Sequence, residues 1–157
     1  MTFLDAAHFK EVLGHYASGL VVVSSLLETG PAGFTCQSFG SLSLEPPLVT
    51  FAASSSGNSW GLVRQASMVG VSVLASDQEE IARRFARSGV DKFEGVAWEP
   101  GPDGSPLLQG ALAHIEGRLI SIVTHGDHDI AVVEVTFAAA GQGRPLIYFR
   151  RGFGELT

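Results

Sequence analysis

Cysteine is almost missing from this chain. Cys36 is the only one, so no disulfide can form within it, and a structural zinc site built mainly from cysteines is excluded. Charge is scarce as well: Asp, Glu, Lys and Arg make up 17% of the 157 residues, and the formal net charge is −6. The Lys and Arg are scattered, so neither nucleic acid nor an anionic membrane meets an electrostatic footprint, and both are set aside as partners. No apolar run approaches membrane-spanning length, and Met1-Thr2-Phe3-Leu4-Asp5 lacks a basic region followed by a long apolar stretch. A cytoplasmic, reducing location is therefore expected. The phosphate-binding fingerprints are also missing. There is no GxGxxG between a strand and a helix, and no GxxxxGK followed by Ser or Thr, which argues against a Rossmann or P-loop nucleotide site.

What the chain does have is apolar residues, 45% of the total, and nineteen glycines suited to tight turns and close backbone approaches. A core of this size buries roughly 70% of the unfolded surface, so one domain over residues 1–157 is expected. So much apolar surface with so little charge suggests that another subunit covers part of it.

The pattern predicts an amphipathic helix from Asp5 to Tyr16, with Asp5 as N-cap and Phe9, Val12, Leu13 and Tyr16 as its stripe. Ser18-Gly19 stops it, and Leu20 to Leu27 reads as a buried strand. A second helix is expected from Asp77 to Arg87, capped by Asp77, with Ile81 and Phe85 as its stripe. Further strands are expected at Met68–Ala75, Ala111–Thr124, Ile130–Ala138 and Arg144–Arg150, with loops at Val90–Gly95 and Pro100–Pro106. Many strands, few helices and no βαβ alternation point to a mainly β protein, an antiparallel barrel with flanking helices.

The organising stretch is Gly33 to Trp60. It reads as a hairpin joined at Glu45-Pro46-Pro47, its first strand placing Thr35, Gln37, Phe39, Ser41 and Ser43 on one face and Cys36, Ser38, Gly40, Leu42 and Leu44 on the other. From Thr35 to Ser38 both faces carry small or polar groups, which bury little apolar area and suit a wall for something flat and polar-edged. The loop Ser54-Ser55-Ser56-Gly57-Asn58-Ser59 precedes a short helix, Ser59 to Ala66, and is either an anion site or a capped, solvated turn. His125-Gly126-Asp127-His128-Asp129 is the one titratable cluster. Two histidines three apart around a Gly-Asp turn point in different directions, and with no second ligand cluster no metal is expected, only one histidine facing a pocket. Cys36 reads as a small buried residue without a local catalytic partner.

Taken in order, Gly33-Phe34-Thr35-Cys36-Gln37-Ser38-Phe39, Ser41-Leu42-Ser43-Leu44-Glu45-Pro46-Pro47-Leu48-Val49, Ser55-Ser56, Trp60, Ala82-Arg83-Arg84-Phe85-Ala86, Asp91-Lys92-Phe93, Gly126-Asp127-His128-Asp129-Ile130 and Arg144-Pro145-Leu146-Ile147-Tyr148-Phe149-Arg150 form a pattern across nearly the whole chain. It resembles the short-chain flavin reductases of two-component flavin-dependent monooxygenases. The resemblance implies an FMN-binding split β-barrel, a homodimer with flavin sites near the subunit interface, and reduction of FMN or FAD by NADH or NADPH. Reduced flavin would then diffuse to a partner monooxygenase.

The resemblance also assigns residues. Thr35, Cys36, Gln37, Ser38 and Ser41 would line the isoalloxazine and ribityl chain, Ser54, Ser55, Ser56, Asn58 and Ser59 would hold the phosphate, and Ser43 and Trp60 would also belong to the cofactor site. Phe85, Lys92 and Phe93 would lie around the flavin, His128 would orient the nicotinamide, and Tyr148 and Arg150 would help hold NAD(P)H. The sequence departs from the family pattern in places: Gln37 stands where many relatives have Asn, Cys36 where many have Ala, and Gly61 replaces a common Pro. Ala53 and Ser54 stand where a basic residue often precedes the serines, so hydroxyls and backbone N–H groups without a nearby cation would hold the phosphate, and the flavin would be held loosely. No catalytic triad or acid pair is needed, because the cofactors carry the hydride chemistry. A non-catalytic flavin carrier or sensor on the same barrel is the alternative. A flavin oxidase acting on a small anionic amine would need a basic pocket, which the scattered Lys and Arg do not suggest.

Overall fold

The structure is a computed structural model and describes residues 4–156. Met1, Thr2 and Phe3, part of the N-terminal segment read above, and Thr157 lie outside the described residues. In chain order the elements are α1 (Ala6–Leu13), β1 (Ser18–Gly19), β2 (Val21–Leu27), β3 (Gly30–Cys36), β4 (Phe39–Ser43), β5 (Leu48–Ser54), α2 (Asn58–Val63), β6 (Met68–Val73) and α3 (Glu79–Phe85). They are followed by β7 (Trp98–Pro100), β8 (Pro106–Leu108), β9 (Ala113–His125), β10 (His128–Ala140), β11 (Leu146–Phe149) and β12 (Gly152–Glu155).

Seven strands form one antiparallel sheet in the order β3-β2-β6-β9-β10-β5-β4. It curls until β3 meets β5 without a ladder between them. The Cys36 thiol donates to Ala52 O at 3.4 Å there, and Phe34 and Phe51 lie 6.1 Å apart between ring centroids. This is the split barrel that the resemblance implies, open along one seam. Its interior is a cluster of Val21, Val23, Val69, Val71, Phe51, Ala131, Val133 and Trp60, with Trp60 in edge contact with both Phe34 and Phe51. Period-2 alternation explains the membership of the strand residues, which occupy the inward rows of their strands, while Trp60 is delivered by α2. A second cluster, Leu20, Val22, Leu74, Ala82, Phe85, Leu108 and Leu146, packs α3 and β11 against the other side of the sheet.

One expected strand turns out to be two. The run from Thr35 to Leu44 breaks at Gln37-Ser38, where Phe39 N donates to Gln37 O at 3.0 Å. As a result β3 and β4 stand at opposite edges of the seven-stranded sheet. The expected hairpin survives only as β4–β5. The pattern of small side chains that suggested a wall is where the chain crosses between the edges.

Other boundaries shift in instructive ways. Asp5 does cap α1, accepting from His8 N at 2.8 Å, but the helix ends at Leu13 and none of its residues is buried. Phe9, Val12 and Leu13 are about half exposed, so this stripe forgoes most of the roughly 1.5–3 kcal/mol that full burial of each would contribute. In α3 the cap position belongs to Gln78, not Asp77. The Gln78 side chain is buried and spends its amide on its surroundings, accepting from Ala75 N at 2.9 Å and donating to Gln109 O at 3.0 Å. Ser18-Gly19 forms a short strand against β11, and the chain continues past Arg150 into β12, which the sequence reading did not foresee.

Candidate functional site

A cavity of about 600 Å³ opens where the barrel seam, α2, α3 and the loop after α3 meet. That is within the range, about 300–1,000 Å³, of small-molecule pockets. Each wall follows from a feature of the chain. The crossing segment contributes Thr35, Cys36, Gln37 and Ser38 from both expected faces, because the backbone turns there. Thr35 Oγ1 donates to Ala82 O at 2.6 Å, which ties this wall to α3. Cys36 is buried, and desolvation pushes its thiol up to about 11, so it serves as packing and not as a nucleophile. Ser41 and Ser43 lie beyond the break on β4 and are not among the lining residues of this cavity.

The serine loop divides in two. Ser54, Asn58 and Ser59 line the cavity, whereas Ser55 and Ser56 do not. Ser55 has committed both its donors: its N–H to Asp127 O at 3.0 Å and its Oγ to Asp129 Oδ1 at 3.1 Å. Ser56 Oγ lies 3.3 Å from Ser54 Oγ. Trp60 is among the lining residues but is buried as part of the barrel core, and its Nε1 donates to Asp129 Oδ2 at 2.8 Å.

The expectation that the serine loop has no nearby cation fails. Lys92 Nζ lies 2.7 Å from Ser59 Oγ and 3.3 Å from Gly33 O, bridging the loop after α3 to both walls. Partial burial lowers its pKa, as expected for an ammonium withdrawn from water with only neutral oxygens as partners. Beside it, Phe85 and Phe93 stand edge to face at 4.9 Å, giving the cavity an aromatic flank. An apolar flank, a small-residue wall and an ammonium next to hydroxyls fit a planar ring system carrying a phosphate. Phe34, part of the same sequence motif but given no role there, lines the cavity too.

His128 lines the cavity from β10, where it pairs with Ser54. Its Nδ1 is 2.8 Å from Asp127 Oδ1, and that hydrogen bond, with the imidazole's charge, lowers the Asp127 pKa. His125 is the direct cross-strand partner of His128, so the two issue from opposing positions of the hairpin, contrary to the expectation of divergence. Only His128 is a lining residue. Of the two central residues of this turn only Gly126 takes a positive φ, +61°, as the first central residue of a two-residue type II′ turn does. Among the described residues no group of three or more His, Cys, Asp or Glu is placed to hold a metal.

Tyr148 and Arg150 are elsewhere. Tyr148 packs on Phe153 at 5.4 Å between centroids beside the second core cluster. Arg150 sits in the β11–β12 turn, its guanidinium 5.0 Å from the Phe149 ring centroid and its N–H donating to Gly14 O at 2.8 Å. Neither reaches the cavity of its own chain.

The residue that sequence reasoning missed is Asp129. It is buried, and its carboxylate collects donors from Thr124, Ser55, Trp60 and Arg64. The hydrogen bond from Trp60 leads the group that lowers its pKa. A signal was present: alternation along β10 puts Asp129 in the inward row with Ala131 and Val133, where a carboxylate needs partners.

Comparison with known proteins agrees with this geometry. A domain profile described as "Flavin reductase like domain" matches residues 13–157. The reductase subunit HsaB of a flavin-dependent monooxygenase from Rhodococcus jostii is 38% identical over 148 residues, 94% of this chain and 76% of that protein. The FMN reductase (NADH) SmoA of Agrobacterium fabrum is 36% identical, with 98% of this chain and 87% of SmoA covered. Among solved structures, the Streptomyces globisporus NADH:FAD oxidoreductase SgcE6 in complex with NAD and FAD fragments superposes with a TM-score of 0.93 at 31% identity. It covers 100% of this chain and 98% of that one.

Proposed function

The chain belongs to the flavin reductase-like domain family, and from that premise we propose that it reduces FMN or FAD with NADH or NADPH and releases reduced flavin to a partner monooxygenase. The observation that carries the reading is the convergence on one cavity of the Thr35–Ser38 wall, the Lys92–Ser59 pair and His128. When bound, the nicotinamide supplies a hydride and the flavin ring accepts it, so the protein's task is placement. Thr35, Cys36, Gln37 and Ser38 would lie along the ring and its side chain, with Phe85 and Phe93 closing the apolar flank. Lys92, Ser54, Asn58 and Ser59 would hold the phosphate, Lys92 supplying the charge. From the open side, His128 would fix the nicotinamide by a hydrogen bond or stacking, its ring oriented through Nδ1 by Asp127.

The same proposal includes one domain over 1–157, a homodimer and a cytoplasmic location, where NADH and a reduced Cys36 both belong. Support for the dimer is an exposed apolar face continuous with the cavity. Ile130 and Val123 are cross-strand partners on it, about half exposed, and Ile130 also pairs with Ala52, itself a lining residue. A second chain on that face would wall the cavity, and a role for Tyr148 or Arg150 with the nicotinamide requires such a chain to bring them there.

Mixing the protein with NADH and excess FMN or FAD, and following NADH absorbance, tests the activity. Turnover of free flavin is expected, and flavin bound without turnover would favour a carrier. Light scattering is expected to give about twice the 16.5 kDa chain mass, and an active monomer would overturn the shared site.

A further inference from the structure

Both donors of Ser55 close on the residues flanking His128. The Ser55 N–H holds Asp127 O at 3.0 Å and its hydroxyl holds Asp129 Oδ1 at 3.1 Å. Asp129 is gripped from three further directions, by Thr124 Oγ1 at 2.7 Å, Trp60 Nε1 at 2.8 Å and Arg64 Nη1 at 3.1 Å. Arg64 is the C-cap of α2, Trp60 lies within that helix, and Thr124 is on β9. One carboxylate thus joins the serine turn, α2 and both strands of the hairpin that carries His128. Asp129 is not itself a lining residue: in a strand, neighbours face opposite ways, so Asp129 turns inward as His128 turns to the cavity.

We propose that Asp129 is the positioning residue of this site, acting through Ser55 to hold His128 and the Ser54–Ser59 turn in one frame. The nicotinamide side and the phosphate side are then registered against each other. The inference rests on the flavin reductase reading for its ligands, though not for its geometry. Anchoring one side chain at four points fixes the peptide on which the next residue stands, and the second tie at Asp127 brackets His128 from the other side. Placement of this kind matters for hydride transfer, where small misalignments of reacting groups cost much rate.

The donor set also dictates how replacements behave. Oδ1 takes the two hydroxyls and Oδ2 takes Trp60 and Arg64. Asparagine can reproduce this, with its oxygen toward Trp60 and Arg64 and its NH₂ toward Ser55 and Thr124, whose hydroxyls rotate to accept. Alanine leaves Trp60 Nε1–H in the core without a partner and frees the serine turn.

The test compares wild type, Asp129→Ala, Asp129→Asn, His128→Ala and the Asp129→Ala/His128→Ala double variant in kcat/KM for NADH at saturating FMN and in FMN affinity. Asp129→Ala is expected to lose several-fold in kcat/KM, at least as much as His128→Ala, and several-fold in FMN affinity. Asp129→Asn should recover most of both. The double variant should lose no more kcat/KM than Asp129→Ala alone, because an imidazole already out of place contributes nothing further. Fully multiplicative losses would overturn the proposal. Should Asp129→Ala fail to fold, Ser55→Ala takes its place in the same cycle, with the same sub-additivity expected and full additivity overturning it. A readout independent of turnover is the NMR signal of the His128 ring, expected to shift in Ser55→Ala; an unmoved ring overturns the positioning role even if wild type proves not to reduce flavin, a result that would instead remove the proposed function.

Discussion

Glu116 and Asp129 stand at opposite ends of the β9–β10 ribbon, each with its carboxylate withdrawn from water. Glu116 accepts from two backbone amides, Asp103 N at 2.8 Å and Ser105 N at 2.7 Å, and so shapes the β7–β8 loop, away from the cavity. Asp129 accepts only from side chains, and these belong to separate elements around the candidate site. A carboxylate that binds backbone N–H groups holds a loop almost regardless of that loop's side chains. One that binds side chains holds a particular constellation, and it ties the identity of one residue to that of several others.

The largest effect tests the architectural end. Glu116→Ala takes the acceptor from the buried N–H of Ser105 and the part-buried N–H of Asp103, which typically costs about 3 kcal/mol in all, and should appear as a lower urea midpoint with FMN affinity of the native protein unchanged. A parallel fall in FMN affinity would break the contrast with Asp129. Next comes Lys92→Met. Losing a charge-assisted contact typically costs about 1.5–3 kcal/mol, so FMN should bind tenfold or more weakly while lumiflavin, which has no phosphate, is unaffected. The sign with pH follows from burial, which lowers the Lys92 pKa from its ordinary 10.5. As pH rises through that lowered value the ammonium loses its charge, so wild-type FMN affinity should fall earlier than an exposed lysine would allow, whereas Lys92→Met should lack this limb.

His128→Ala is expected to cost a positioning hydrogen bond, about 0.5–1.5 kcal/mol, seen as a several-fold loss in kcat/KM for NADH with flavin affinity kept. His125→Ala, opposite it in register but outside the cavity lining, should change little; equal effects would reassign the turn. The smallest effect is at Cys36. With its thiol pushed up to about 11, iodoacetamide near neutral pH should leave activity intact and label the protein only after unfolding.

Elements whose signal is local were legible in the sequence: the β-branched run of β2, the long β9–β10 hairpin about Gly126, the Asp5 cap and the buried Phe85 face of α3. Thr35–Ser38 was recognisable as a wall because polar and small residues filled both rows. The break at Gln37 was not, since alternation by itself does not say which edge of a sheet a strand joins. Composition left Lys92 among the scattered cations, and only the family resemblance placed it near the flavin, with no partner named. Its partner Ser59 is 33 residues away, and only the fold brings the two together. Asp129 and its partners Trp60 and Arg64 are separated by 69 and 65 residues. Such couplings leave no periodicity behind, only an inward-facing carboxylate whose need for partners can be inferred without naming them.

The crossing at Gln37-Ser38 bears on how long the cavity stays closed. Strands β3 and β4 are neighbours in sequence yet form opposite rims of the sheet, so the segment between them spans from one edge to the other. A ligand seated against it would grip both rims at once, making the seam slower to open to proteases and to amide exchange, and coupling the lifetime of the native chain to the supply of its own ligand.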